Sequence, residues 1–334
     1  MNSINKINRR AIPQHCLILL CAIALLLTSC SPQKIISTTK IANSNNSRKL
    51  LIRDEGLSQL SYVDLANPGV NWYVPIPVGR DMQLVGNGRV LVGTGNGYEE
   101  HEIATGKKVF ELTAFPGTIA ARRLRNGNTI LSGVNWQGKQ GIVLVETDSL
   151  GVVKSTIAYP GFDYVRLVRE TSNGNYLVTA DNIVFEGNQS GNIVWKVALA
   201  GMSKPHAWQA LRLGNGQTIV STGYSKNLQL FSADGKLVDS ITGPAEVNPN
   251  FYAGLQVLQN GNYLVTNWQG HGPKNGASGT QVLEYTPTGK LSWSWKQDAT
   301  KFSSLHAVIV LDGLDRDALY VEDKKGMLAP VKIK

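Results

Sequence analysis

Five segments of the chain share one pattern of apolar and polar positions. In each, an apolar run is followed by a turn at Asn-Gly and then by a second apolar run, as in QALRLGNGQTIVSTG. Asn-Gly between two such runs is a strong hairpin signal, because both turn residues can adopt positive φ. The turn asparagines recur every 39–47 residues and are Asn87, Asn126, Asn173, Asn215 and Asn260.

A second pair of apolar runs follows these hairpins before the pattern starts again. Examples are EEHEIATGKKVFEL at 99–112, LQLFSADGKLVDSI at 228–241 and TQVLEYTPTGKLSWSW at 280–295. Four strands in every repeat of about 40 residues predict the blades of a β-propeller. The chain is therefore expected to be all-β, with four-stranded antiparallel blades.

The number of blades depends on how the two ends are used. Five complete blades run from about residue 79 to residue 304. The flanking segments, 49–76 and 305–313, read as three strands and one strand, and pairing them would close a six-bladed ring and hide its edges. The tail ALYVEDKKGMLAPVKIK could add strands, so seven blades is the alternative. Residues 49–334 are predicted to form this one propeller domain.

The second hairpins resemble the PQQ-like repeat, in which a Thr-Gly-type turn leads to an aromatic residue on the last strand. The matching positions are Ala104–Lys107 before Phe110, Ser190-Gly191 before Trp195 and Thr288-Gly289 before Trp293. A weaker resemblance, to arylsulfate sulfotransferase propellers, rests on LRNGNTI and LQNGNYL in the first hairpins. Both resemblances bear on the fold, a propeller, more than on any reaction that the protein would catalyse. Quinone-dependent dehydrogenases with such repeats have eight blades and often a cysteine pair, so no quinone cofactor is expected here.

The N-terminus has the pattern of an export signal. A basic start without acidic residues precedes an apolar run that is short for a membrane span. The run ends in Leu-Thr-Ser-Cys, which resembles the lipobox of bacterial lipoproteins. The resemblance implies a signal peptide over 1–29, a lipid on Cys30, and an outer-membrane lipoprotein facing the periplasm or the cell surface. The polar residues of 30–48 are expected to form a flexible tether.

Composition narrows the chemistry. All three cysteines, Cys16, Cys21 and Cys30, precede the propeller, so no disulfide and no thiol nucleophile is expected in it. The formal charge of +9 includes no long Lys/Arg run, and no nucleic acid partner is expected. The histidines lack ligand spacing such as His-x-His, and no metal site is predicted.

The tetrapeptide Asn-Trp-Gln-Gly occurs twice, at 135–138 and at 267–270. Each copy follows the second strand of its blade, and in a six-bladed ring these two blades lie opposite each other. Trp136 and Trp268 would then flank the mouth of the central channel and clamp a ligand. Ordinary turn chemistry, with the indole packed between blades, explains the motif equally well.

Several other side chains are expected on the face where the inner strands begin. His206 and His306 enter inner strands, and His271 lies in the long loop after the second Asn-Trp-Gln-Gly copy. Alternation along inner strands would point arginines such as Arg122 and Arg166 into the channel, where they would favour an anion. Further candidates for ligand binding are Asp81, Asp163 and Tyr252.

Two functions fit this face. The first is a non-catalytic scaffold that binds an envelope protein or a small anionic ligand. The second is an enzyme of sulfuryl transfer or metal-assisted hydrolysis, with His206 or His306 as nucleophile or base. Arg122 or Arg166 would then hold the anionic group. Binding is favoured because the histidines stand at unequal distances from their turns, nine residues for His206 and six for His306.

Overall fold

The structure, a computed structural model, describes residues 47–201 and 206–331. Within them the chain forms 26 β-strands and two short 3₁₀ helices, Pro68–Val70 and Ala245–Val247, and no α-helix. The prediction of an all-β, six-bladed propeller with four-stranded antiparallel blades is confirmed. In this part of the chain no helix is long and apolar enough to cross a membrane. The predicted signal peptide, Cys30 and most of the tether lie outside the described residues.

The blades are numbered from the one that contains the first strand. Blade 1 contains β24 (Leu305–Val310), β1 (Lys49–Asp54), β2 (Gln59–Asp64) and β3 (Trp72–Pro75). Blade 2 contains β4 (Met82–Gly86), β5 (Arg89–Thr94), β6 (Gly97–Glu102) and β7 (Lys108–Leu112). Blade 3 contains β8 (Ala120–Arg123), β9 (Thr129–Val134), β10 (Ile142–Thr147) and β11 (Val153–Tyr159).

The other three blades follow in chain order. Blade 4 contains β12 (Val168–Glu170), β13 (Tyr176–Ala180), β14 (Ile183–Gly187) and β15 (Ile193–Ala198). Blade 5 contains β16 (Gln209–Arg212), β17 (Thr218–Ser221), β18 (Asn227–Phe231) and β19 (Leu237–Thr242). Blade 6 contains β20 (Phe251–Val257), β21 (Tyr263–Trp268), β22 (Val282–Tyr285) and β23 (Leu291–Trp295).

Blade 1 unites strands from both ends of the domain. Its inner strand β24 pairs antiparallel with β1, with Leu51 opposite Ile309. The last two strands, β25 (Leu319–Glu322) and β26 (Leu328–Val331), form a hairpin that joins the inner strand of blade 2, with Leu319 opposite Val85. The seven-bladed alternative is wrong, because this hairpin extends an existing sheet toward the axis and does not form a blade of its own.

The C-terminal hairpin, β25 and β26, lies across the axis on the face of the Asn-Gly turns. Besides blade 2, it contacts every other blade of the ring. Tyr320 belongs to the hydrophobic cluster that includes strands of blade 1. Glu322 contacts Arg125 of blade 3 and Arg169 of blade 4, Gly326 lies against Arg212 of blade 5, and Met327 pairs with Val257 of blade 6. The hairpin therefore plugs the channel from this side, and the opposite face holds the candidate site.

Most of the hydrophobic core lies at the six interfaces between blades. The interface of blades 5 and 6 holds a cluster that includes Leu228, Tyr252 and Tyr285. The interface of blades 2 and 3 holds another, which includes Leu91 and Trp136. Because successive residues of a strand face opposite sides of the sheet, each blade packs against both of its neighbours. This packing gives the channel mouth a rigid frame.

The recurring Asn-Gly-Asn sequence has a structural cause. Asn126 and Asn128 donate hydrogen bonds from their side-chain amides to one oxygen of Glu146, at 2.8 and 2.7 Å. The corresponding asparagines of blades 4 and 6 donate in the same way to Glu186 and Glu284. Each of these glutamates stands on the third strand of its blade, so the repeat ties the first hairpin to the second.

Candidate functional site

A cavity of about 360 Å³ opens on the face where the inner strands begin. This volume falls within the range of roughly 300–1,000 Å³ that is usual for small-molecule sites. The cavity lies between the end of β1, the starts of the inner strands and the loops that follow second strands. Its walls include Arg53, Arg80, Arg166, Trp208, Trp268 and His306.

Three arginines without a carboxylate partner line this cavity. Among the described residues, Arg53, Arg80 and Arg166 form no ion pair, although most other arginines of the propeller do. Burial lowers the pKa of Arg53 to about 10. Burial, with a contribution from the charge of Arg80, lowers the pKa of Arg166 to about 10. Guanidinium groups are cationic at neutral pH, and a cation that is wholly or partly removed from water without a counter-charge is costly.

The guanidinium groups are held by backbone carbonyls and by aromatic rings. Arg53 is 3% exposed and donates to the carbonyl oxygens of Asp81 and Pro77, at 3.2 and 3.0 Å. Arg166 lies over the indole of Trp208, 4.9 Å from the ring centroid, and its buried Nε has no hydrogen-bond partner in the described chain. Such contacts fix the orientation of each guanidinium group but do not neutralise its charge.

His306 borders both this cavity and the narrow channel beneath it. Its ring lies against that of Trp208, with 4.6 Å between ring centroids and a tilt of 48°, and makes no hydrogen bond within the described residues. Burial, followed by the positive charges of Arg53, Arg80 and Arg166, holds the pKa of His306 well below its usual value. The imidazole is therefore neutral at neutral pH, with one donor and one acceptor nitrogen.

Aromatic rings form one wall of the cavity. Phe251 is the central ring of this wall and packs edge-to-face against its three neighbours. The centroid distances from Phe251 are 4.7 Å to Tyr224, 5.3 Å to Trp268 and 5.4 Å to Trp208. A wall of this kind offers flat apolar area to a ligand at little entropic cost, because aromatic side chains have few rotatable bonds.

Both acids of the cavity wall are bonded to groups other than the arginines. Glu55 lies 2.9 Å from Nδ1 of His271 and accepts a hydrogen bond from the indole N–H of Trp268 at 3.1 Å. Asp54 accepts hydrogen bonds from backbone N–H groups of the loop before β24. Asn275 donates to three carbonyls of the His271 loop and keeps that loop folded at the lip.

A buried ionic cluster lies below the cavity, around a channel of about 40 Å³. Arg122 contacts Asp81 at 3.3 Å and Glu322 at 2.6 Å. Arg169 contacts the same two carboxylates at 2.7 and 3.1 Å. Burial by itself would raise the pKa of Glu322, but Arg122 and Arg169 hold that pKa below its usual value. Arg122, expected as an anion clamp, and Asp81, expected as a ligand contact, thus lie below the upper cavity and are paired within this cluster.

Two other expected residues lie away from the cavity. Trp136 packs edge-to-face on Phe115 between blades 2 and 3 and donates its indole N–H to the carbonyl of Pro116 at 2.8 Å. Tyr252 is fully buried between blades 5 and 6, with its hydroxyl 2.6 Å from that of Tyr285. The predictions that placed both residues at the mouth are corrected by this packing.

The remaining candidates divide between the surface, the rim and the cavity. Asp163 is exposed in the loop before β12. His206 stands at the rim, 3.3 Å from a carboxylate oxygen of Asp181 and close to two rings of the aromatic wall. His271 and His306 line the cavity together with the predicted Arg166 and Trp268. The structure thus brings two of the three expected histidines to one site.

Some residues of the site were not selected from the sequence. Arg53 lies next to the end of the second strand of blade 1, and Glu55 follows that strand. Asn-Trp-Gln-Gly occupies the same position in blades 3 and 6, and this equivalence could have identified both residues. Trp208 lies two residues after His206, directly before the inner strand β16. Its place in the blade was the sequence feature that could have identified it. Glu322 carried no such signal, because its hairpin has no counterpart in the repeats.

No protein-family model matches the chain, and no curated protein sequence matches it either. Among solved structures, a protein of unknown function from Bacteroides caccae is similar, with a TM-score of 0.63 and 22% identity, over 79% of this chain and 98% of that one. A chain of a nidogen/laminin complex has a TM-score of 0.55 and 10% identity, over 79% of this chain and 98% of that one. A streptogramin B lyase has a TM-score of 0.50 and 13% identity, over 86% and 88%. These likenesses place the chain among β-propeller proteins and show the fold alone.

Proposed function

We propose that this propeller binds a small anionic ligand with a flat apolar part in its axial cavity. The observation that carries the proposal is the set of three arginines, Arg53, Arg80 and Arg166, that line one cavity without ion pairs among the described residues. An anion would supply the missing counter-charge, and guanidinium forks suit carboxylate, sulfate and phosphate oxygens. The aromatic wall around Phe251 would hold the apolar part.

The proposal is tested by calorimetric titration of the purified protein with two anionic probes, 4-nitrophenyl sulfate and 4-nitrobenzoate, and with the neutral 4-nitrobenzyl alcohol. At least one anion is expected to bind about tenfold or more tightly than the alcohol, because only the anion compensates the arginine charges. Equal binding of all three probes, or no binding of any, would contradict the proposal.

A second candidate function is transfer of the anionic group, and the neutral, unbonded ring of His306 favours it. The acceptor nitrogen of His306 would attack the sulfur of an aryl sulfate, forming an N–S bond while the S–O bond to the phenol breaks. The phenolate leaves with that electron pair. The oxygen of an acceptor alcohol or phenol then attacks the sulfur, the N–S bond breaks with its electron pair returning to the imidazole, and the acceptor's proton passes to water. Release of 4-nitrophenolate in the titration mixture, abolished in His306→Ala, would support transfer. If no 4-nitrophenolate is released, the proposal of group transfer fails and the proposal of anion binding remains.

We also propose that the protein is an outer-membrane lipoprotein anchored through Cys30, as the lipobox-like sequence before it implies. In a Gram-negative host, the wild-type protein is expected to incorporate labelled palmitate and to sediment with membranes. Cys30→Ser should lose the label and move to the soluble fraction, because one thiol carries the anchor. Cys16→Ala serves as the matched control and should keep the label. Labelled Cys30→Ser protein would disprove the anchor.

A further inference from the structure

We propose that Glu322, on the hairpin that plugs the channel, is a positioning residue for Arg53 and thereby sets the affinity of the anion site. The inference rests on the proposed function and adds a second, distant determinant to it. Glu322 lies on the face opposite to the mouth and does not line the upper cavity. Its influence would run through the ionic cluster between the two.

The first link joins Glu322 to two arginines of the ring. Its Oε1 lies 2.6 Å from Nη2 of Arg122 on blade 3 and 3.1 Å from Nε of Arg169 on blade 4. All three side chains are buried, with 5–9% of each exposed. One carboxylate of the C-terminal hairpin therefore connects two neighbouring blades at the axis.

The second link joins these arginines to Arg53 through a single residue, Asp81. Its carboxylate accepts from Arg169 at 2.7 and 3.0 Å and from Arg122 at 3.3 Å. Its backbone has a φ of +77°, a conformation that non-glycine residues rarely adopt unless their surroundings impose it. In that conformation its carbonyl oxygen accepts from Nη1 of Arg53 at 3.2 Å. The paired carboxylate and the carbonyl that orients Arg53 thus belong to one constrained residue.

The charge balance of the cluster makes this link sensitive to Glu322. Two arginines face two carboxylates, and removal of one carboxylate leaves a buried cation that must find another partner. Asp81 is the acid that remains within reach of both arginines. When they rearrange around it, its φ of +77° loses support. Arg53 then loses one of its two carbonyl acceptors, and the Pro77 carbonyl alone no longer fixes both ends of the guanidinium group.

Two effects of Glu322 on anion binding have opposite signs, which makes the inference testable. A purely electrostatic effect predicts that loss of the negative charge raises the positive potential of the cavity and tightens anion binding. Loss of positioning predicts weaker binding, because Arg53 no longer points its donors at the anion. Glu322→Gln removes the charge, whereas Glu322→Asp keeps the charge and shortens its reach.

The experiment measures the dissociation constants of 4-nitrophenyl sulfate and 4-nitrobenzoate for the full-length wild type, Glu322→Gln, Glu322→Asp and a control. The control is Glu284→Gln, because Glu284, on blade 6, is also buried and pairs with Arg48 at 2.6 Å, away from the cavity. Both Glu322 variants are expected to bind the anions roughly three- to thirtyfold more weakly. Glu284→Gln should bind as the wild type does, even though its melting temperature also falls.

The outcomes separate this inference from the proposed function. Tighter or unchanged binding in both Glu322 variants overturns the positioning role while the anion site stands. If Glu322→Gln does not fold, the anion affinity of Glu322→Asp tests the positioning role, since this variant keeps the net charge of the cluster. Absence of anion binding by the wild type overturns the proposed function and this inference together.

Discussion

Arg166→Met is expected to weaken anion binding by about 2–4 kcal/mol, or roughly thirtyfold to a thousandfold. The guanidinium lines the cavity over Trp208 and has no carboxylate partner in the described chain, so its charge is available to the anion. The same substitution should leave the melting temperature unchanged or raise it, because an unpaired, partly buried cation is replaced by an apolar chain of similar length. Loss of binding with gain of stability is the signature of a site residue.

The measurement is calorimetric titration with 4-nitrophenyl sulfate together with thermal unfolding. Arg212→Met is the matched control, because Arg212 also lies over an indole, 4.4 Å from the ring centroid of Trp195, yet pairs with Glu186 at 2.5 Å. This control should lose stability and keep its affinity for the anion. A variant at Arg166 that binds like the wild type and melts earlier would show that this arginine is structural.

Trp136→Ala is expected to lower the free energy of unfolding by about 3–5 kcal/mol and to leave anion affinity unchanged. The indole fills the interface of blades 2 and 3, lies against Gly133 so closely that a Cβ there would meet it at 2.8 Å, and donates to Pro116. Its removal leaves a cavity and an unpaired carbonyl, and neither touches the ligand site. Chemical denaturation and the same titrations measure both effects.

The second copy of the tetrapeptide provides the comparison for this variant. Trp268 lines the cavity and packs against Phe251, so Trp268→Ala should weaken binding of the aromatic anions in addition to any loss of stability. The two substitutions thus remove the same residue from the same four-residue sequence with different results. If Trp136→Ala weakened binding as much as Trp268→Ala does, the assignment of Trp136 to the blade interface alone would be wrong.

The repeat was readable from the sequence because its signals are local. Asn-Gly turns and alternating apolar positions act over a few residues, and six blades followed once the two ends were paired. The two Asn-Trp-Gln-Gly copies show where local signals fail. β9 ends at Val134 and the chain turns at Asn135, with φ of +47°, whereas β21 runs on through Trp268, opposite Phe251. Identical residues therefore point to different places.

The cavity was predictable only in part, because its charges are set by long-range pairing. Arg122 and Arg166 looked alike as inner-strand arginines, and the difference between them is Glu322, which is 200 residues from Arg122 in the chain. The hairpin that carries Glu322 has no counterpart among the blades. No repeat pattern could show which arginine it would neutralise.

Within the described residues, the C-terminal hairpin covers the ring on the face opposite to the cavity mouth, so a ligand is expected to enter and leave by the mouth. Binding of one molecule and release of another then use the same opening. If the site transfers a group as well as binding it, the first product has to depart before the acceptor can enter. The chemistry would then follow a ping-pong sequence, in which the donor and the acceptor inhibit each other when either is in excess.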